Sequence, residues 1–219
     1  MGSAAIGVRH VIAWIAVYII VCGIIPVALD VIILRALDKG VSAWINLLTI
    51  IVLNTIFLRT LIMRYKLEVK IFSNISFRGI LLACVCSVSF FILLDKIIDP
   101  FIDGIFVTSA EEYRRTIELM RQFPVVSFIR VCLLAPVAEE VLIRGCILNS
   151  LQNKYGLILS LVISSLLFAI LHFNFVQIIS AVICGLILGL LYINTGSLLV
   201  CILAHSLYNA ISYFTSVLL

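Results

Sequence analysis

What most constrains this chain is a succession of apolar runs, at 11–34, 43–63, 79–98, 125–153, 157–173, 176–193 and from 198 to the C-terminus. Crossing the hydrocarbon core takes about 20 apolar residues in a helix. No water is available there to bond the backbone, so each run has to satisfy its own N–H and C=O groups as helix. The sequence therefore predicts an all-α, polytopic transmembrane bundle of about seven spans. Composition agrees: 64% of the 219 residues are hydrophobic and 12% are charged, whereas soluble domains hold roughly 45–50% and 25%. The formal charge of +4 sits in the loops. It is a topology signal and gives no reason to expect a nucleic-acid partner.

The first run follows a single Arg9 and has no small, polar cleavage region behind it, so it reads as a retained helix. Arg64, Lys66, Lys70 and Arg78 against one Glu68 make the most basic connection, which the positive-inside rule places in the cytoplasm. The third span is expected to stop at Asp99-Pro100. Residues 99–124 are polar, with Glu111, Glu112, Arg114, Arg115, Glu118 and Arg121 among Tyr113, Ile117, Leu119 and Met120. They fit an interfacial amphipathic helix or a solvated loop with a charged helical turn. The expected organisation is one membrane domain: N-terminal helices 1–3 over residues 1–98, the polar segment 99–124, and helices 4–7 with the chemistry over 125–219. The seven cysteines are scattered without metal-site spacing and read as small hydrophobes.

Ionisable residues inside spans are expensive and mark functional sites with partners to be named. The fourth span carries Pro136 and then Glu139, Glu140 and Arg144; the fifth ends with Phe168 and His172; the seventh holds His205 and Asn209. Glu140 and Arg144, four apart, share a helix face and can neutralise each other. Glu139 points elsewhere, without a local partner, and suits a general base or acid. Pro136 deprives the carbonyl of Cys132 of its helical donor and is expected to kink the helix. Phe168, on the same face as His172, reads as packing.

Glu139 and His172 are each about 25 Å from the Tyr155-Gly156 turn, hence level on neighbouring helices. His205 lies only about 13 Å from the Gly196 turn. A single site therefore requires the hairpin of the fourth and fifth helices to project roughly two turns beyond Gly196. The inventory of one carboxylate, two imidazoles and an amide allows water activation with oxyanion stabilisation. It equally allows a metal held by Glu139, His172 and His205.

Two glutamates and an arginine with three residues between Glu140 and Arg144, then phenylalanine, three residues and histidine, then histidine, three residues and asparagine, resemble the intramembrane CAAX-protease and bacteriocin-processing (Abi) family. The resemblance covers 136–209. Ile143 departs from the aromatic residue that often precedes the arginine. The resemblance implies an intramembrane peptidase in which Glu139, helped by His172, activates water, His205 and Asn209 steady the oxyanion, and Glu140 and Arg144 support the site. It permits a zinc-dependent or a metal-independent mechanism, and the expectation adopted is that no cofactor is required. The expected partners are a peptide or small protein substrate and membrane lipid. The expected setting is a cell membrane, and the compact, isoleucine-rich chain looks bacterial, so a bacteriocin, pheromone or CAAX-type substrate follows. Two other readings compete. One is a non-catalytic immunity or scaffolding protein of the same fold; the other is a proton-coupled transporter, for which no paired interrupted helices are seen.

Overall fold

The structure is a computed structural model describing residues 6–218; residues 1–5 and 219, the ends of the first and last expected segments, lie outside the described residues. Among the described residues, eight helices account for the architecture. Five are long and apolar enough to cross a membrane: α1 (Val8–Ala36), α2 (Lys39–Tyr65), α3 (Phe77–Ile105), α7 (Phe175–Thr195) and α8 (Leu198–Leu218). Between them lie the amphipathic α4 (Val107–Gln122), α5 (124–155) and the short α6 (Leu157–Ile170). The helices α5 and α6 are the expected fourth and fifth spans. The first carries Arg130, Glu139, Glu140 and Arg144, and the second has only 14 residues.

Local chemistry fixes the ends. The Asp38 carboxylate accepts from the N–H groups of Gly40 and Val41 at the start of α2, and Ser76 and Asn174 cap α3 and α7 in the same way. Gly156 and Gly196 turn the chain at φ +77° and +61°, values that cost other residues steric strain. Apolar side chains such as Ile32, Leu48, Ile56, Val85 and Ile158 are exposed, the arrangement expected where lipid is the solvent.

Three of the helices contain a widened turn ending two residues before a proline: Ile19–Ile24 before Pro26, Phe91–Ile98 before Pro100, and Ile129–Leu134 before Pro136. In these turns the N–H reaches back five residues instead of four, which lets a helix pass a proline without ending. This corrects the expected stop at Asp99-Pro100: α3 runs on to Ile105. The polar segment accordingly splits, with 99–105 inside α3. Helix α4 buries Ala110, half-buries Tyr113, Ile117 and Met120, and exposes Glu111, Glu112, Arg114, Arg115, Glu118 and Arg121.

Helix α6 packs along α7, and α8 along α3. Gly185 of α7 permits a close approach, since a Cβ there would meet the Ser165 backbone at 3.1 Å. Leu198 packs on Gly145, which puts the Gly196 turn near the level of residue 145. The tip at Gly156 lies eleven residues further along α5, about 16 Å. The hairpin of α5 and α6 therefore projects past the Gly196 turn, as a single site required.

Candidate active site

All eight residues from Val141 to Leu148 are buried, and on this stretch of α5 the Glu140 and Arg144 side chains are 0% and 1% exposed. Two charges are tolerated here because each is bonded. Arg144 Nη1 donates to Glu140 Oε1 at 2.8 Å, and Nη2 donates to the Gly185 carbonyl at 2.9 Å. The guanidinium also lies 4.8 Å from the Phe168 ring centre.

The pair reaches further than one helix. His205 Nδ1 sits 3.1 Å from the same Glu140 Oε1. A carboxylate oxygen already bonded to arginine accepts, so Nδ1 carries the hydrogen and Nε2 is left free. That nitrogen lies 4.0 Å from Glu139 Oε2, whose side chain is 17% exposed. His205 thus stands between the two glutamates, held by the buried one and facing the accessible one. Nothing in the residue spacing pairs Glu140 with His205, because the contact forms between α5 and α8.

His172 is not inside a helix. Helix α6 ends at Ile170, short of the expected 173, and His172 stands in the turn leading to α7 with its Nδ1 3.2 Å from the Phe168 carbonyl. Its Nε2 is likewise free. Glu139, His172, His205 and Asn209 line one cavity of about 280 Å³. Among the described residues no ion pair joins Glu139 to His172, so the imidazole beside Glu139 is that of His205. Phe168 does more than pack: its ring meets His172 edge-on at 5.2 Å and His205 at 5.6 Å, with Arg144 on its face.

Asn209 is also tied down. Its Nδ2 donates to the Val131 carbonyl at 2.9 Å. The widened turn, in which the Ala135 N–H bonds Arg130, makes Val131 and not Cys132 the carbonyl opposite Pro136.

A metal at this site would need its donors to converge. Two imidazoles and a carboxylate are a suitable set chemically, but among the described residues no three His, Cys, Asp or Glu side chains lie close enough to hold an ion. The residues as placed do not fit a metal centre.

Several residues in or beside the cavity went unforeseen, Asp99 and Asp103 among its lining. Asp95, Asp99 and Asp103 repeat every four residues on α3; Tyr208 donates to Asp95 at 2.8 Å, and Ser180 bonds Asp99. The signal was present, since three carboxylates in or beside an apolar run are as costly as those on α5. Tyr113 of α4 faces these carboxylates, and burial, then their charge, pushes its phenol up to about 12, so it remains a donor at neutral pH. Glu139 also lines a second cavity of about 220 Å³ with Tyr18 and Asn54, which hydrogen-bond each other at 2.9 Å across α1 and α2.

Against known families, residues 121–211 match Rce1-like type II CAAX prenyl endopeptidases. This stretch is similar to that family. The Rce1-like segment runs from the end of α4 into α8 and contains all six residues of the site. The match implies a peptidase, and the long apolar helices around the segment make the protein a multi-span membrane protein. No curated protein and no solved structure matches the chain at a significant level.

Proposed function

We propose that this protein is an intramembrane endopeptidase that cleaves a small membrane-associated peptide or protein with water activated by Glu139. The observation that carries this reading is the 4.0 Å gap between Glu139 Oε2 and His205 Nε2. A water molecule bridges such a gap with hydrogen bonds of ordinary length of about 2.8 Å. It gives one hydrogen to each group and keeps a lone pair for the substrate carbonyl. As that oxygen attacks, Glu139 takes its proton and then passes it to the amine that leaves when the C–N bond breaks. The second N–H of the Asn209 amide, and His172 when protonated, supply donors to the oxyanion. Glu140 and Arg144 act through His205 and do not touch the reacting atoms. Relative to the sequence-based expectation, His205 and His172 exchange roles.

The membrane setting favours a hydrophobic peptide, of the bacteriocin, pheromone or CAAX type. The test is cleavage of quenched fluorescent peptides by purified protein in micelles. Glu139→Gln keeps the volume and loses the base, so turnover should fall to background while the melting temperature stays within about 2 °C of wild type, less than about 1 kcal/mol. Full turnover by this variant refutes the mechanism. Wild-type protein that binds peptides without cutting them would favour the immunity or scaffolding reading.

A further inference from the structure

Three times in this fold a widened turn meets a proline, and in each the last N–H before the proline bonds five residues back: Ile25 to Ile20, Asp99 to Leu94 and Ala135 to Arg130. Continued by one residue, that register runs from residues 26, 100 and 136 to the carbonyls of Val21, Asp95 and Val131. Proline has no N–H to give, so each of these carbonyls faces a missing donor. Among the described residues no side chain from another helix bonds the Val21 or Asp95 carbonyl. Val131 alone receives one, from Asn209 Nδ2 at 2.9 Å. Val131, Asn209 and Glu139 line the same cavity, and Pro136 is buried three residues before Glu139.

The comparison separates function from upkeep. If a proline after a widened turn needed a cross-helix donor to fold, all three would have one. The donor appears only where the carbonyl faces the reaction cavity. An asparagine amide can present either oxygen or nitrogen to its surroundings, and its two ends are nearly alike in shape. A carbonyl only accepts, so one opposite the amide fixes which end is nitrogen and holds one of the two N–H bonds. The other N–H is then a donor of fixed direction.

The geometry points to Pro136 as a positioning residue that acts through Asn209: by withholding its own N–H it leaves the Val131 carbonyl to orient the Asn209 amide at the reaction centre. This rests on the protease reading for its effect on rate, but the coupling between Pro136 and Asn209 does not. Pro136→Ala supplies the missing N–H, satisfies the carbonyl within α5 and frees the amide to turn.

The experiment is a double-mutant cycle of P136A and N209A, read by peptide cleavage and by thermal unfolding in micelles. N209A removes an oxyanion donor and should lower kcat by about 10²-fold. P136A should lower kcat by about tenfold with KM changed less than about twofold, the signature of an interaction made only in the transition state. The double variant should be no slower than N209A alone. P136A at wild-type kcat, or a double variant slowed by the product of the two effects, overturns the proposal. In melting, N209A should lose more in the wild-type background than in the P136A background, where the carbonyl has another donor; equal losses overturn it. That arm needs no substrate, so failure of the protease reading is told apart from failure of the coupling. Should P136A not fold, Asn209→Asp decides: an acceptor set against the carbonyl should lower both kcat and melting temperature, and loss of kcat with unchanged melting overturns the proposal.

Discussion

Replacing Glu140 with glutamine isolates charge from hydrogen bonding at this site, because of how its two oxygens are used. Both donors, Arg144 Nη1 at 2.8 Å and His205 Nδ1 at 3.1 Å, converge on Oε1, while Oε2 has no protein partner. A glutamine places its single carbonyl oxygen at the Oε1 position and keeps both hydrogen bonds. What it removes is the anion beside a guanidinium that is 1% exposed. Stranding one member of a buried pair costs about 3–5 kcal/mol. For a chain of this size each kcal/mol moves the melting temperature by about 2–4 °C, so E140Q should melt about 6–20 °C below wild type. Removing the stranded cation as well, with Arg144→Met, should recover much of the loss, since a buried pair replaced by apolar groups is often neutral. Because His205 keeps its anchor, E140Q should retain measurable turnover at low temperature, unlike E139Q. Thermal unfolding in micelles with parallel peptide cleavage reads both quantities. An E140Q protein that melts within about 2 °C of wild type, or one that matches E139Q in both stability and activity, refutes this division of labour.

Phe168→Leu keeps much of the buried volume but removes the ring that meets Arg144 and both imidazoles. It should lower kcat by more than tenfold at a cost in stability of about 1.5 kcal/mol or less; F168L with normal kcat would reduce Phe168 to packing. Tyr208→Phe removes the donor to Asp95 and should destabilise by about 1.5–3 kcal/mol, as for hydrogen bonds to charged groups; unchanged melting would show that the carboxylate finds another partner. Single cysteines at Lys70 and Glu112 should react with an impermeant reagent from opposite sides of the membrane, with Lys70 cytoplasmic. Labelling of Lys70 from outside intact cells overturns the topology. Glu112 serves for the far side because Asp103 lies within α3 with a buried carboxylate oxygen.

Helices were legible because hydrophobic length has a direct physical meaning in a bilayer; their ends were less so. Sequence marks a proline as a break, and Pro100 was read that way, yet a turn that reaches back five residues absorbs the missing N–H and α3 continues. Whether a helix stops or widens is decided by what packs around it, here by α8 lying along α3. His172 shows the converse. An apolar run to Phe173 suggests a full span, but α6 ends at Ile170 with the His172 N–H bonded to the Ala169 carbonyl.

At the candidate site, which residues come together was legible and how they contact one another was not. Periodicity pairs Glu140 with Arg144 because four residues on one helix are always neighbours. No such rule links Glu140 to His205 or Asn209 to Val131, since those distances depend on how α8 is rotated against α5. Depth along the helices could be estimated, and it placed Glu139, His172 and His205 in one layer. Rotation within that layer was open, and it is rotation that sets His205 and not His172 beside Glu139. The carboxylates of α3 are hidden for a different reason: Asp99 next to Pro100 reads as the end of a span, and only once the helix continues do Asp95, Asp99 and Asp103 fall on one face, with Asp99 and Asp103 lining the cavity. One misread turn thus hid a wall of the site, which shows how far a single helix boundary carries into chemistry.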